Sequence, residues 1–210
     1  ISNSLNQLVL KLTCPGIPDV YQGSELWELG FVDPDNRRPV NYALRQTYLE
    51  KTKASPLLDQ TSALWEERHS GKIKLAVLHH LLRLRANHAD VFRDGMYQPV
   101  EVGGKYKRHI LAYARKYRQD WVVVAMPLHL AAIGKSASED IRKFDWEDTN
   151  IILPEYQEIH WQHAWSDVNT DAKQMDINTL FGDLPLAVLQ GKSTVNKRSA
   201  GVVLHITSLP

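Results

Sequence analysis

What this chain has little of narrows it before any motif does. A single cysteine, Cys14, excludes an internal disulfide. No apolar run is long enough to cross a bilayer. The 25 basic and 24 acidic side chains leave a formal charge of +1. That balance gives no electrostatic footprint for nucleic acid or an anionic membrane, so neither is an expected partner. The sequence has no Asn-X-Ser/Thr acceptor, no Gly-X-Ser-X-Gly elbow, no phosphate-binding glycine loop and no dinucleotide fingerprint. With no secretory leader visible, the cytoplasm is the expected compartment. What is present is ordinary for a globular protein: 43% hydrophobic residues in a chain of 210, enough for one or two domains with a core.

Hydrophobic periodicity places the elements. Leu5, Leu8, Val9 and Leu12 mark an amphipathic helix with Asn3 or Ser4 as cap. A second helix is expected from about Tyr42 to Lys53. After a Ser55-Pro56 break, a strong one is expected from about Lys72 to Asn87. On the last, Val77, Leu78, Leu81 and Leu84 share a face, and Arg85 lands beside that stripe, where it needs a carboxylate or carbonyl partner. From Met96 the period becomes strand-like. Residues 110–115 and 121–126 flank a polar loop as a hairpin candidate, and 150–153 and 159–165 are further short strands. Residues 134–140 read as a loop, and 191–197, without a sizeable apolar cluster, as a linker.

The most informative words lie between these helices. In Pro15-Gly16-Ile17-Pro18-Asp19-Val20-Tyr21-Gln22-Gly23-Ser24-Glu25-Leu26-Trp27, prolines and glycines bracket Val20 and Tyr21, which reads as a loop and a very short strand at 19–21. A long polar loop follows, Val32-Asp33-Pro34-Asp35-Asn36-Arg37-Arg38-Pro39-Val40. Polar side chains just beyond the carboxyl end of a strand are where strand-helix barrel enzymes carry their active sites.

These words resemble the last barrel strand and following loop of maltooligosyltrehalose synthase, in the alpha-amylase superfamily. Supporting words follow in the order of that family's carboxyl-terminal region: Leu81-Leu82-Arg83-Leu84-Arg85, Phe92-Arg93-Asp94-Gly95-Met96-Tyr97, Ile110-Leu111-Ala112-Tyr113-Ala114-Arg115, Trp146-Glu147-Asp148-Thr149 and Leu184-Pro185-Leu186-Ala187-Val188-Leu189. The resemblance implies an α+β chain: the carboxyl-terminal remnant of a (β/α)8 barrel (1–54), a linking helical segment (55–95), an antiparallel β-domain (96–190), then a linker and the start of a glucanotransferase-like domain (191–210). Residues 198–210 are similar to the opening of a 4-alpha-glucanotransferase, with Ile206 where that family's word has proline. Both ends, Ile1 without an initiator methionine and this tail, mark the chain as an expected piece of a fused protein.

The implied reaction is an intramolecular transglycosylation. The reducing-end alpha-1,4 bond of a maltooligosaccharide becomes an alpha,alpha-1,1 bond, with no metal or organic cofactor. Such chemistry needs a nucleophilic carboxylate and a carboxylic acid donor. The resemblance puts both on strands upstream of Ile1, so no catalytic residue is assigned here and the chain alone is expected to be inactive. The expected substrate contacts are Asp33, Asp35, Asn36, Arg37 and Arg38, which suit sugar hydroxyls, and the rings of Tyr21 and Trp27. The same run equally makes ion pairs that fix a long loop, and both readings stand. Expected partners are maltooligosaccharides, the upstream barrel, and a second copy through apolar surface cut from that barrel. Other readings are another amylase-type hydrolase or glucanotransferase, or a noncatalytic carbohydrate-binding module using Trp121, Trp146, Trp161 and Trp165. His160 and His163 lack a third ligand nearby and make a poor zinc site.

Overall fold

A computed structural model describes residues 1–30, 32, 34, 37–133, 140–154 and 159–194. The chain opens with α1 (Ser2–Thr13), then a long segment whose described residues form no α-helix or strand, then α2 (Tyr42–Lys53), α3 (Leu57–Glu66), α4 (Lys72–Asn87) and α5 (Ala89–Asp94). Strands dominate thereafter: β1 (Met96–Pro99), β2 (Val102–Gly103), β3 (Ile110–Tyr117), β4 (Asp120–Pro127), β5 (Asn150–Ile152), β6 (Ile159–His163), β7 (Asn169–Thr170), β8 (Gln174–Asp176), the short helix α6 (Ile177–Phe181) and β9 (Ala187–Ser193). A six-stranded antiparallel sheet runs β1-β3-β4-β9-β6-β7, and a three-stranded one runs β2-β5-β8. The architecture is mixed α+β with antiparallel sheets.

The large sheet is covered on both faces, and the strand period of two explains its composition. On β4, Val122, Val124 and Met126 join Tyr113 and Val188 against α1, α4 and α5. The alternate residues Trp121, Val123 and Ala125 join Trp161 and Leu189 against the small sheet and α6, through Ile151, Met175, Ile177 and Phe181. The near-continuous apolar run of β4 is what a doubly covered central strand requires. α4 buries Ile73, Val77, Leu78, Leu81 and Leu84 as its stripe predicts.

The carboxyl end of α1 is held by cations from two other elements. Arg85 donates from Nη1 to Leu12 O at 2.6 Å, the carbonyl partner its position called for, and stacks over Phe92. Arg115, 1% exposed, donates to Thr13 O, Phe92 O and Gly95 O at 3.0, 3.2 and 2.9 Å. Cations at the last carbonyls of a helix satisfy its open acceptors and oppose its dipole. Beside them the hydroxyls of Thr13 and Tyr113 share a hydrogen bond. Burial pushes the Tyr113 phenol far above its usual range.

Several expectations change. Residues 19–21 are not a strand, because both sheets are built from residue 96 onward and none of their strands pairs with this segment. Neither Asn3 nor Ser4 caps α1: the helix starts at Ser2 with Ile1 as N-cap and no side-chain cap bond, so both residues already have helical backbone. Gly191, Lys192 and Ser193, expected as linker, are strand and pair within β9, and the rest of that expected linker from 195 lies outside the described residues. Trp121, Trp146, Trp161 and Trp165 do not form a surface platform; each is at most 6% exposed. His160 and His163 fall on opposite faces of β6, one exposed and one buried. The glucanotransferase-like stretch and residues 134–139 lie outside the described residues.

Candidate functional site

The segment between α1 and α2 is shaped by backbone first. Gly23 has φ +86°, and a Cβ there would sit 3.1 Å from Val40 Cγ2. Only glycine takes both the left-handed turn and the approach at no cost. Arg45, on the first turn of α2, then ties the loop down: its guanidinium donates to Glu25 Oε2 at 2.8 Å, Gly23 O at 2.7 Å and Asn41 O at 3.1 Å. Asn41 caps α2 by accepting from Leu44 N at 2.9 Å. Glu25 thus orients loop backbone through Arg45.

Trp27 is anchored by residues distant in sequence, at 68 and on α4. Its Nε1 donates to Arg68 O at 2.7 Å, and Lys74 Nζ lies over its ring at 5.6 Å from the centroid while donating to Leu26 O at 2.9 Å. Gly71, at φ +80°, makes this possible, since a Cβ would come 3.0 Å from Trp27 N. Trp27 lines a cleft of about 810 Å³ together with Gln7 and Lys11 of α1, Leu26 to Leu29, Arg45, and Lys74 of α4. That volume is in the range of ligand clefts. Burial, then the nearby Lys11 charge, lowers the pKa of Lys74. The cleft mixes apolar walls with donors, the chemistry of a polyhydroxyl or polypeptide contact surface.

The expected contacts are dispersed. Trp27 lines the cleft, whereas Tyr21, 53% exposed, and Arg37 and Arg38, both exposed, do not. Asp33, Asp35 and Asn36 lie outside the described residues. Of the six tryptophans, Trp27 alone is more than slightly exposed. Lys74 and Arg45 were not singled out from sequence: Lys74 reads as an ordinary polar position of α4, and only tertiary packing places it over a tryptophan 47 residues earlier. Among the described residues, no group of three or more His, Cys, Asp or Glu could hold a metal. No helix among them is long and apolar enough to cross a membrane.

Two Mycobacterium tuberculosis strains carry a curated protein described as a candidate maltooligosyl trehalose synthase, 34% identical over 188 residues, or 90% of this chain. This chain is homologous to part of a maltooligosyltrehalose synthase. It spans 20% of the length of those curated relatives. Solved maltooligosyltrehalose synthases from Arthrobacter ramosus superpose with a TM-score of 0.68 at 28% and 27% identity, over 91% of this chain and 22% of theirs. A further maltooligosyl trehalose synthase crystal structure, 24% identical with a TM-score of 0.61, shares the fold. No family model matches the chain.

Proposed function

We propose that this chain is a working part of a maltooligosyltrehalose synthase, which turns the reducing-end alpha-1,4 bond of a maltooligosaccharide into an alpha,alpha-1,1 bond by intramolecular transglycosylation. The observation that carries the reading is the 34% identity running through 90% of the chain. In this reading residues 1–54 are the carboxyl-terminal end of the catalytic barrel, and the nucleophile and acid belong to polypeptide outside these 210 residues. The chain then contributes substrate wall and scaffold. A glycosyl-enzyme intermediate forms, and the released glucose must stay, turn and attack through its anomeric hydroxyl before water does. The loop carrying Arg37 and Arg38, with the rings of Tyr21 and Trp27, holds that glucose and denies water a position.

The placement of the cleft supports this. It runs along α1 from Ile1 to Lys11 and meets the first turns of α2 and α4 at Arg45 and Lys74. In a strand-helix barrel, helices begin at the carboxyl end of the strands, where the chemistry is done. The test puts this chain in place of the matched region of the Mycobacterium relative and feeds the chimera maltopentaose. Arg37→Ala with Arg38→Ala is expected to lower the ratio of nonreducing product to hydrolysis roughly tenfold, the loss of one or two positioning contacts. An unchanged ratio removes those two residues from the site.

The burial of four tryptophans weakens the carbohydrate-binding-module reading, since stacking platforms need open ring faces.

A further inference from the structure

One guanidinium closes the neck of the loop between residues 24 and 40. On the incoming arm Arg45 donates from Nη2 to Gly23 O at 2.7 Å and from Nε to Glu25 Oε2 at 2.8 Å; on the outgoing arm it donates from Nη1 to Asn41 O at 3.1 Å. Further contacts join the same two arms. Tyr42 Oη donates to Gln22 Oε1 at 3.5 Å, and Val40 Cγ2 stands 3.1 Å from where a Cβ on Gly23 would lie. The Arg45 and Glu25 side chains are only 16% and 24% exposed, so water screens this pair less than it screens a surface one. α2, which continues the outgoing arm, buries only Thr52, so packing does little to fix that arm. Arg37 and Arg38 lie in this loop, exposed, within four residues of the neck at Asn41.

We propose that Arg45 is a positioning residue for the synthase reaction. By closing the neck it fixes where Arg37 and Arg38 stand, and so sets how far transfer to the anomeric hydroxyl outruns transfer to water. Three of its five N–H groups are spent on the protein, in the planar fork that only arginine offers. Lysine would bring the charge without the fork. Misplacing a group that orients a reacting sugar by about 1 Å can cost about a hundredfold in rate. Two acceptors compete here, and only the glucose needs orienting by the loop, so a loosened neck slows transfer to glucose and leaves transfer to water unhindered. This inference deepens the reading of the chain as a synthase part and rests on it.

Kinetics of the chimera and proteolysis of the chain alone test it together. In the chimera acting on maltopentaose, Arg45→Ala should lower the ratio of nonreducing product to hydrolysis roughly tenfold with KM changed less than about twofold, and Arg45→Lys should fall nearly as far. Added to Arg37→Ala with Arg38→Ala, Arg45→Ala should lower the ratio no further, because it acts through those residues. In the chain alone, Arg45→Ala should speed tryptic cleavage of the Arg37–Arg38 bond at least about fivefold while the thermal midpoint stays within a few degrees. Unchanged cleavage means that Arg45 does not hold the neck, and an unchanged ratio means that the neck does not bear on the reaction; either overturns the proposal. So does a raised KM with the ratio kept, which makes Arg45 a sugar contact, a ratio preserved by Arg45→Lys, which makes charge sufficient, or an equal loss in both backgrounds. Failure of the synthase reading shows elsewhere, as a chimera with native Arg45 that makes no nonreducing product; that result removes the role in partition, and the cleavage comparison still decides the neck.

Discussion

His163 is the residue whose chemistry departs furthest from its solution behaviour. It is buried on β6, where Nδ1 accepts from Trp165 N at 3.3 Å and Nε2 has no hydrogen-bond partner. Burial lowers its pKa from 6.5 to about 4. The imidazole is therefore neutral in the fold. Above pH 6.5 neither state carries the extra proton and stability is undiminished. As pH falls toward 4 the unfolded chain binds a proton that the folded chain refuses, costing about 3 kcal/mol across that window. His163→Asn keeps an acceptor for Trp165 N and removes the titration. Urea unfolding should show it about 1 kcal/mol less stable at pH 8 and less sensitive to pH between 6.5 and 4; an unchanged pH slope would show that His163 is not the source. Arg115 gives a different residue-scale test. Arg115→Met leaves two buried carbonyls and one half-buried one without their donor and should cost about 3 kcal/mol. A loss below about 0.5 kcal/mol would mean that water replaces the guanidinium. Neither role was legible in sequence, where Arg115 was one letter in a strand word. Arg85 was partly legible, because its place beside an apolar stripe already demanded a partner.

Elements with long, clean periodicity were the legible ones. α2 and α4 match the expected bounds, because amphipathic spacing and the Ser55-Pro56 break constrain them locally. The β3–β4 hairpin was equally plain, with Arg118 at φ +54° in its turn. α5, α6 and the two-residue strands β2 and β7 are too short to display a period; tertiary packing decides them. β9 was obscured for another reason. Gly191, Lys192 and Ser193 look like linker, yet they complete the pairing that β4 and β6 offer from either side. Residues 19–21 show the reverse case, a strand word with no strand to pair with among the described residues. The contrast predicts a difference in mutational cost. Leu81→Ala, at 0% exposure on α4, should cost about 3 kcal/mol. Leu29→Ala should cost under about 0.5 kcal/mol in the chain alone. Comparable losses by thermal unfolding would mean that Leu29 packs in solution against something the fold does not show.

At the scale of the whole molecule, the helices and the antiparallel sheets form the better-buried body, and the segment between α1 and α2 is its open side. Pins join the helical part to the strand-rich part. Trp65 Nε1 donates to Asp140 Oδ1 at 3.1 Å, and Arg142 binds both Asp140 oxygens while reaching Glu66 at 2.7 Å. The Arg142 hydrogen bond holds the Asp140 carboxyl below its usual range. The candidate site was half legible: Trp27 sits on a cleft, while Tyr21, Arg37 and Arg38 lie on exposed surface away from it. The kinship with a synthase was readable because the loop words are followed by further words in the order of that family's carboxyl-terminal region. The catalytic pair was not readable, since in the proposed account it belongs to other polypeptide.

The most direct measurement of that account follows reducing ends and free glucose together when the chimera of this chain with the Mycobacterium relative acts on maltopentaose. The account predicts that reducing ends disappear while little glucose is released. A rise in glucose or in reducing ends would contradict it and leave an amylase-type hydrolase in its place.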